Sequence, residues 1–184
     1  MGLKLITANT DWAISLEEAR DHLDITSGDT NDDAYIQTLI EAAQKKIEED
    51  YDLSLTARTY DLYLDDFPNI IAIWMYPIAS VDSVKYTDDD GNSQTVTSTN
   101  YTTDLTQKPA RIGPVSSYTW PTPRDSIAAV QVRFTTGFSS PDTIPSDIKQ
   151  AMLLIIGDWF DNREDKGRRF NRVSEMILSK YKYI

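Results

Sequence analysis

The sequence predicts an α+β fold: two N-terminal and two C-terminal helices form a core, with an antiparallel β insertion between the second and third helices. Three observations carry that expectation. Apolar residues recur at helical spacing as far as Tyr51, the period drops to two between about residues 57 and 138, and a very apolar helical stretch follows near residue 150. A chain of 184 residues fits one domain with an insertion, numbered 1–184 overall.

In "SLEEARDHL", Ser15 is a good N-cap and Glu18 stands three residues later to complete a capping box. Leu16, Ala19 and Leu23 then share one face. "TSGDTND" breaks this helix at Gly28 and offers Thr30 or Asn31 as the next cap. From Asp32 to about Tyr51, Ile36, Ile40, Ala43, Ile47 and Tyr51 define an amphipathic helix.

In "TYDLYLDDF", Tyr60, Leu62 and Leu64 alternate with Asp61 and Tyr63, the pattern of a half-buried strand. "NIIAIWM" is an apolar run ended by Pro77. Val84 and Tyr86 lead into "DDDGN" and Gln94 to Val96 lead away, so Asp90-Gly91 predicts a hairpin with a primed turn. Residues 97–126 read as loops with short strands around Tyr101 and Arg111-Ile112. "AAVQVRFTTGF" restores alternation through Val130, Val132 and Phe134. A helix begins near Pro145, since proline is tolerated in a first helical turn. Its stripe of Ile148, Ala151, Met152, Ile155 and Trp159 is widened by Leu153, Leu154 and Ile156, the mark of a helix buried on most sides. A polar link then precedes a short helix with Phe170, Val173 and Ile177 as its apolar face.

The formal charge of −11 argues against a protein that coats DNA, because phosphate binding needs clustered cations. That charge is uneven: residues 1–66 hold 16 acidic and 5 basic side chains, whereas residues 159–184 hold 4 acidic and 7 basic. With no cysteine there is neither a disulfide framework nor a thiolate centre. "MGLKLITANTDWAIS" has no long apolar run or cleavage pattern, and Ala151–Ile156 is too short to cross a bilayer. A soluble, cytosolic product without membrane partners is the expectation.

Catalytic chemistry has no handle here. His22 is the single histidine and sits in a helix beside acidic neighbours, which reads as a surface position. "GDTNDD" lacks the spacing and the lysine of a phosphate loop, and the aspartates at 88–90 lack the alternate ligands and distal glutamate of a calcium loop. The four tryptophans stand where core packing is the default. No enzyme activity, metal or cofactor is expected.

The order of "ISLEEARDHLDI", "DDAYIQTLIEAAQKKIEEDYDLSL", "RTYDLYLDDFP", "YPIASVDSVKYTDDDGNSQTV" and "IPSDIKQAMLLIIGDWFDNRE" resembles the head–tail connector (head completion, or adaptor) proteins of tailed bacteriophages and gene transfer agents. The resemblance covers roughly residues 13–165, and the chain looks like the long form with a β insertion. It implies a structural virion protein at the head–tail junction, made in the host cytoplasm. Copies would form a ring, dodecameric on the virion and monomeric or weakly associated in dilute solution. The partners it implies are the portal protein, the next connector or tail-completion protein, and double-stranded DNA passing through without specific binding. It also implies a C-terminal docking tail at about residues 179–184, mobile until it meets the portal. "MILSKYKYI" looks like that closing segment. The expected docking residues are Arg168, Arg169, Phe170 and Arg172, together with Lys180, Tyr181, Lys182, Tyr183 and Ile184. Met152, Ile155 and Trp159 are candidate subunit contacts, because the stripe they belong to is wider than a two-layer domain needs. Asp88, Asp89 and Asp90 are candidates to face the channel. The alternative reading is a nucleic-acid-binding protein that uses Arg163, Lys166, Arg168, Arg169 and Arg172.

Overall fold

The computed structural model describes residues 2–8, 11–26, 28–163 and 172–182. The chain divides into two compact units, one of Met1–Asn9 with Ala57–Phe138 and one of Thr10–Thr56 with Ser139–Ile184.

The second unit is helical, built from α1 (Leu16–His22), α2 (Asp33–Tyr51), α3 (Ser146–Asp161) and α4 (Arg172–Leu178). The capping box forms as the spacing predicts: the Glu18 amide donates to Ser15 Oγ at 3.1 Å, and the Ser15 amide donates to the Glu18 carboxylate at 2.8 Å. That carboxylate also accepts from Lys149 of α3 at 2.7 Å, which ties the start of α1 to its neighbour. The predicted cap of α2 is corrected. Asp32 holds the N-cap position, and the Asn31 side chain turns back to Asp29 at 2.7 Å. A local Asx turn has taken the residue that would otherwise cap the helix.

Along α2, Ile36, Leu39, Ile40, Ala43, Ile47 and Tyr51 are buried, and so is Gln44. Buried amides persist where their hydrogen bonds are met. Gln44 Oε1 accepts the Ala13 amide at 2.9 Å, and Glu48 beside it accepts the Leu55 amide at 2.9 Å. One turn of α2 thus secures the chain both before α1 and after α2.

The last turn of the chain packs on α3. Ser179–Tyr181 form a 3-10 turn, and the Tyr181 hydroxyl donates to Asp147 at 2.9 Å while Lys180 pairs with the same carboxylate. Burial alone would push Asp147 upward, yet the Lys180 and Tyr181 hydrogen bonds outweigh it and hold the carboxyl below its ordinary value. The expectation of a free tail from residue 179 is therefore corrected as far as Lys182. The inward face of α4 is also corrected: Ser174 and Leu178 are buried, whereas Val173 is 53% exposed. Phe170 lies outside the described residues.

The first unit holds two antiparallel sheets. Five strands run in the order β1 (Gly2–Ala8), β2 (Arg58–Leu64), β8 (Val130–Thr136), β4 (Ile78–Thr87) and β5 (Ser93–Val96). Three more run β3 (Ile71–Ile73), β7 (Ala110–Pro114) and β6 (Tyr101–Asp104). Their shared core takes Leu62, Val84, Val132 and Phe134 from the first sheet and Ile71, Ile73 and Ile112 from the second. Phe67 and Trp120 stack beside it at 4.8 Å.

Alternation along β2 is as predicted, but the polar side of the strand is not simply solvated. Asp61 is 1% exposed. Arg133 of β8 grips it with two bonds at 2.7 and 2.8 Å, and Gln131 adds one at 2.6 Å. The guanidinium is the main reason that the Asp61 carboxyl lies below its ordinary value.

The buried Asp61 and the half-buried Asp147 each generate a prediction. Asp61→Asn should lower stability at neutral pH by about 2 kcal/mol, less than a fully buried pair would, because Arg133 can rehydrate. A carboxyl with a depressed folded value stabilises above its unfolded pKa and loses that contribution as pH falls. The gap between wild type and Asp61→Asn in denaturant midpoints should therefore narrow below about pH 4. Tyr181→Phe should cost about 1.5 kcal/mol through its lost bond to a charged partner. An unchanged midpoint would show that the Tyr181 hydroxyl bond to Asp147 does not hold the C-terminal turn.

Candidate interaction surfaces

Among the described residues, no three histidine, aspartate or glutamate side chains converge as a metal site, and no helix is long and apolar enough to cross a membrane. His22 is exposed, and its ring lies 3.4 Å from where a Cβ on Gly157 of α3 would stand. The functional candidates are surfaces, and the structure redistributes them.

Met152, Ile155 and Trp159 are 0%, 1% and 4% exposed within a single chain. Their stripe is covered by the chain's own helices, so these residues belong to its core and the subunit-contact expectation is corrected. A wide apolar stripe signals burial but not which molecule supplies the cover. The large apolar groups that the helical unit exposes among the described residues are Trp12, at 37%, and Val173 and Met176 of α4, at 53% and 71%. Val173 and Met176 follow exposed Arg172, with Lys180 and Lys182 also exposed beyond them. Tyr181 faces inward instead. Arg168, Arg169, Phe170, Tyr183 and Ile184 lie outside the described residues.

The acidic hairpin forms, with Val84 opposite Val96 and Thr87 opposite Ser93. Its turn differs from the primed type expected from Asp90-Gly91. Only Gly91 has positive φ, at 86°, and its amide donates to the Asp88 carbonyl at 2.9 Å. This is the longer hairpin connection in which a left-handed glycine closes the loop. Asp88 holds it shut. Its carboxylate accepts from Gln94 and from the Asn92 amide, both at 2.8 Å, and those bonds, that of Gln94 first, keep its carboxyl below the ordinary value. Asp89 and Asp90 are the exposed carboxylates of the turn. The three aspartates thus split into one structural residue and two that are free to act on their surroundings.

Arg163 and Arg172 are the described members of the basic set that also includes Lys166, and of the two Arg163 is committed within the helical unit. It pairs with Asp32 at 3.1 Å and lies over the rings of Tyr35 and Phe160 at 4.8 and 4.5 Å. That engagement takes it away from phosphate binding.

Sequence reasoning missed the exposed apolar residues of the β unit. Trp74 is 63% exposed, against the expectation of core packing, because β3 ends at Ile73 just before it. It also missed β1, every residue of which is exposed, with Leu3 and Leu5 at 53% and 48%. Leu3 and Leu5 do alternate with Lys4, but seven residues with no flanking turn give a weak signal, and the partner strand lies far away in sequence.

No curated protein matches the chain. Over its whole length the fold is similar to that of a chain from the neck of an empty gene transfer agent particle computed with C6 symmetry, at a TM-score of 0.82 and 22% identity, covering 96% of that chain. A chain from the virion of a native gene transfer agent particle gives 0.81 and 23%, and one from a native neck computed with C12 symmetry gives 0.79 and 22%, each again with 100% and 96% coverage. The model of the head completion protein family matches residues 13–176, from the turn before α1 into α4 and across the whole β insertion. The chain therefore belongs to the head completion protein family, and its role is that of a structural head–tail connector protein.

Proposed function

We propose that copies of this chain assemble as a ring adaptor between the portal and the tail or stopper, extend the DNA channel and complete the head after packaging. The observation that carries this reading is the family match over residues 13–176. The full-length likeness in fold to neck chains from particles computed with C6 and C12 symmetry supports the ring.

Portal docking falls to the C-terminal end. Val173 and Met176 offer apolar contact beside the cations Arg172, Lys180 and Lys182, and exposed apolar groups flanked by charge suit a partner surface. Residues 168–170 and 183–184 complete the docking set in this reading. Docking on the portal keeps the Tyr181–Asp147 contact and uses the outer side of α4.

A channel must pass DNA without gripping it, since every phosphate bound by a cation adds affinity that ejection has to overcome. With a formal charge of −11 per chain, acidic groups lining the lumen would keep the duplex off the wall. Screening over about 8 Å at physiological salt confines the effect to groups that face the channel. Asp89 and Asp90 fill that role; Asp88 shapes the turn that carries them.

Deleting the gene from a producing strain should leave DNA-filled heads that lack tails, restored when the protein is supplied. Normal tailed particles without it would overturn the reading. Asp89→Asn combined with Asp90→Asn should leave thermal stability unchanged but slow DNA ejection, with the defect shrinking as salt rises, whereas Asp88→Ala should lower the melting temperature. Wild-type ejection by the double variant would remove the hairpin from the channel wall.

A further inference from the structure

The five-stranded sheet ends in two unpaired edges, β1 and β5, among the described residues. An edge strand presents a row of free amides and carbonyls, a template for pairing with another chain. Every residue of β1 is exposed, and so are the first three of β5.

Every neighbouring pair in this sheet is antiparallel. Four reversals therefore leave β1 and β5 running in the same direction. The register also carries straight across the sheet: Gly2 lines up with Tyr63, Gln131, Lys85 and Thr95, and Leu3 with Leu62, Val132, Val84 and Val96. The second row is apolar from edge to edge. It is buried at Val96 and half open to water at Leu3, where the sheet stops.

We infer that the β1 edge takes the β5 edge of a second copy of this chain, head to tail. This inference rests on the ring reading. Copies related by a small rotation keep their strands pointing the same way, so the joint is parallel, as the common direction of β1 and β5 requires. A heterologous contact of this kind closes into a ring, whereas β1 against β1 would need the reversed direction of a two-fold dimer.

Length and charge fix the register. A bulge between Leu5 and Thr7 ends the regular part of β1, which leaves Gly2–Leu5, four residues, for the four residues of Ser93–Val96. Full overlap is a slide of two residues from the rows above, which keeps every side chain on its own face because the strand period is two. Val96 then stands beside Leu5 and continues the apolar side, and Thr95 stands beside Lys4. The Asp88–Asn92 turn of the second copy lies at the Gly2 end, about 7 Å along the strand from Lys4 and within reach of that ammonium. In a β1–β1 dimer the lysines of the two copies would instead share one short joint with no carboxylate supplied from a turn.

The absence of native cysteine makes the joint directly readable. A Cβ at Gly2 meets nothing within 4 Å, and Ser93 and Thr95 are exposed. Within one copy, positions 2 and 93 or 95 lie on opposite edges, about 19 Å apart across four strand spacings. That is far beyond the roughly 5.5 Å that a disulfide spans. The full chain carrying Gly2→Cys with Ser93→Cys, or with Thr95→Cys, is incorporated into particles that are then purified and mildly oxidised. A ladder of disulfide-linked multimers on a non-reducing gel is the expected result, strongest for the 2/93 pair and absent from each single variant. Rings visible in the particles with no ladder from either pair would overturn the joint while leaving the ring reading intact. A dimer from Gly2→Cys alone would also overturn it, in favour of a two-fold contact. Particles that carry the protein without a ring would remove the ring reading and the joint together.

Discussion

The pairing of β2 with β8 is the constraint on which the rest of the structure depends. Seven residues of each match in register from Arg58 opposite Thr136 to Leu64 opposite Val130, so the β excursion begins and ends at adjacent points. An insertion closed at its base leaves α2 and α3 free to pack within their own unit as though joined by a short loop, because the cost of closing that long loop is carried by the strand ladder. β8 sits at the centre of the sheet between β2 and β4. Its inward residues Val130, Val132 and Phe134 build the core, while Gln131 and Arg133 on the other side hold Asp61. One strand therefore supplies closure, packing and polar satisfaction together.

Much of this was legible in the sequence because the signals are local. The Ser15–Glu18 capping box, the helical period of α2, the alternation of β2 and β8 and the glycine of the hairpin are each decided within a few residues. What escaped was decided at a distance. β1 is a strand because β2 lies beside it, and nothing within Gly2–Ala8 announces that partner. Asp61 reads as a solvated polar residue until Arg133 of another strand covers it.

The surfaces were harder to read than the fold for a related reason. The stripe on α3 shows that Met152, Ile155 and Trp159 are buried, yet periodicity cannot say whether the cover comes from the same chain or from another copy; here it is the same chain. The short α4 gave the opposite error. Seven residues fix a helical face poorly, and Ser174 and Leu178 turned inward while Val173 and Met176 were left to the outside. Charge patterning had the same limit: three consecutive aspartates look alike in sequence, but Asp88 closes its own turn and the other two do not.

The central claim is that this connector protein works as a closed ring at the head–tail junction. Electron cryo-microscopy of purified particles, reconstructed without imposed symmetry around the neck, tests it most directly. The account predicts one layer of density below the portal that fits this chain in repeated copies about a single axis, with an open lumen along it. A neck that lacks the chain, or holds it as an isolated two-fold dimer away from the axis, would contradict the account.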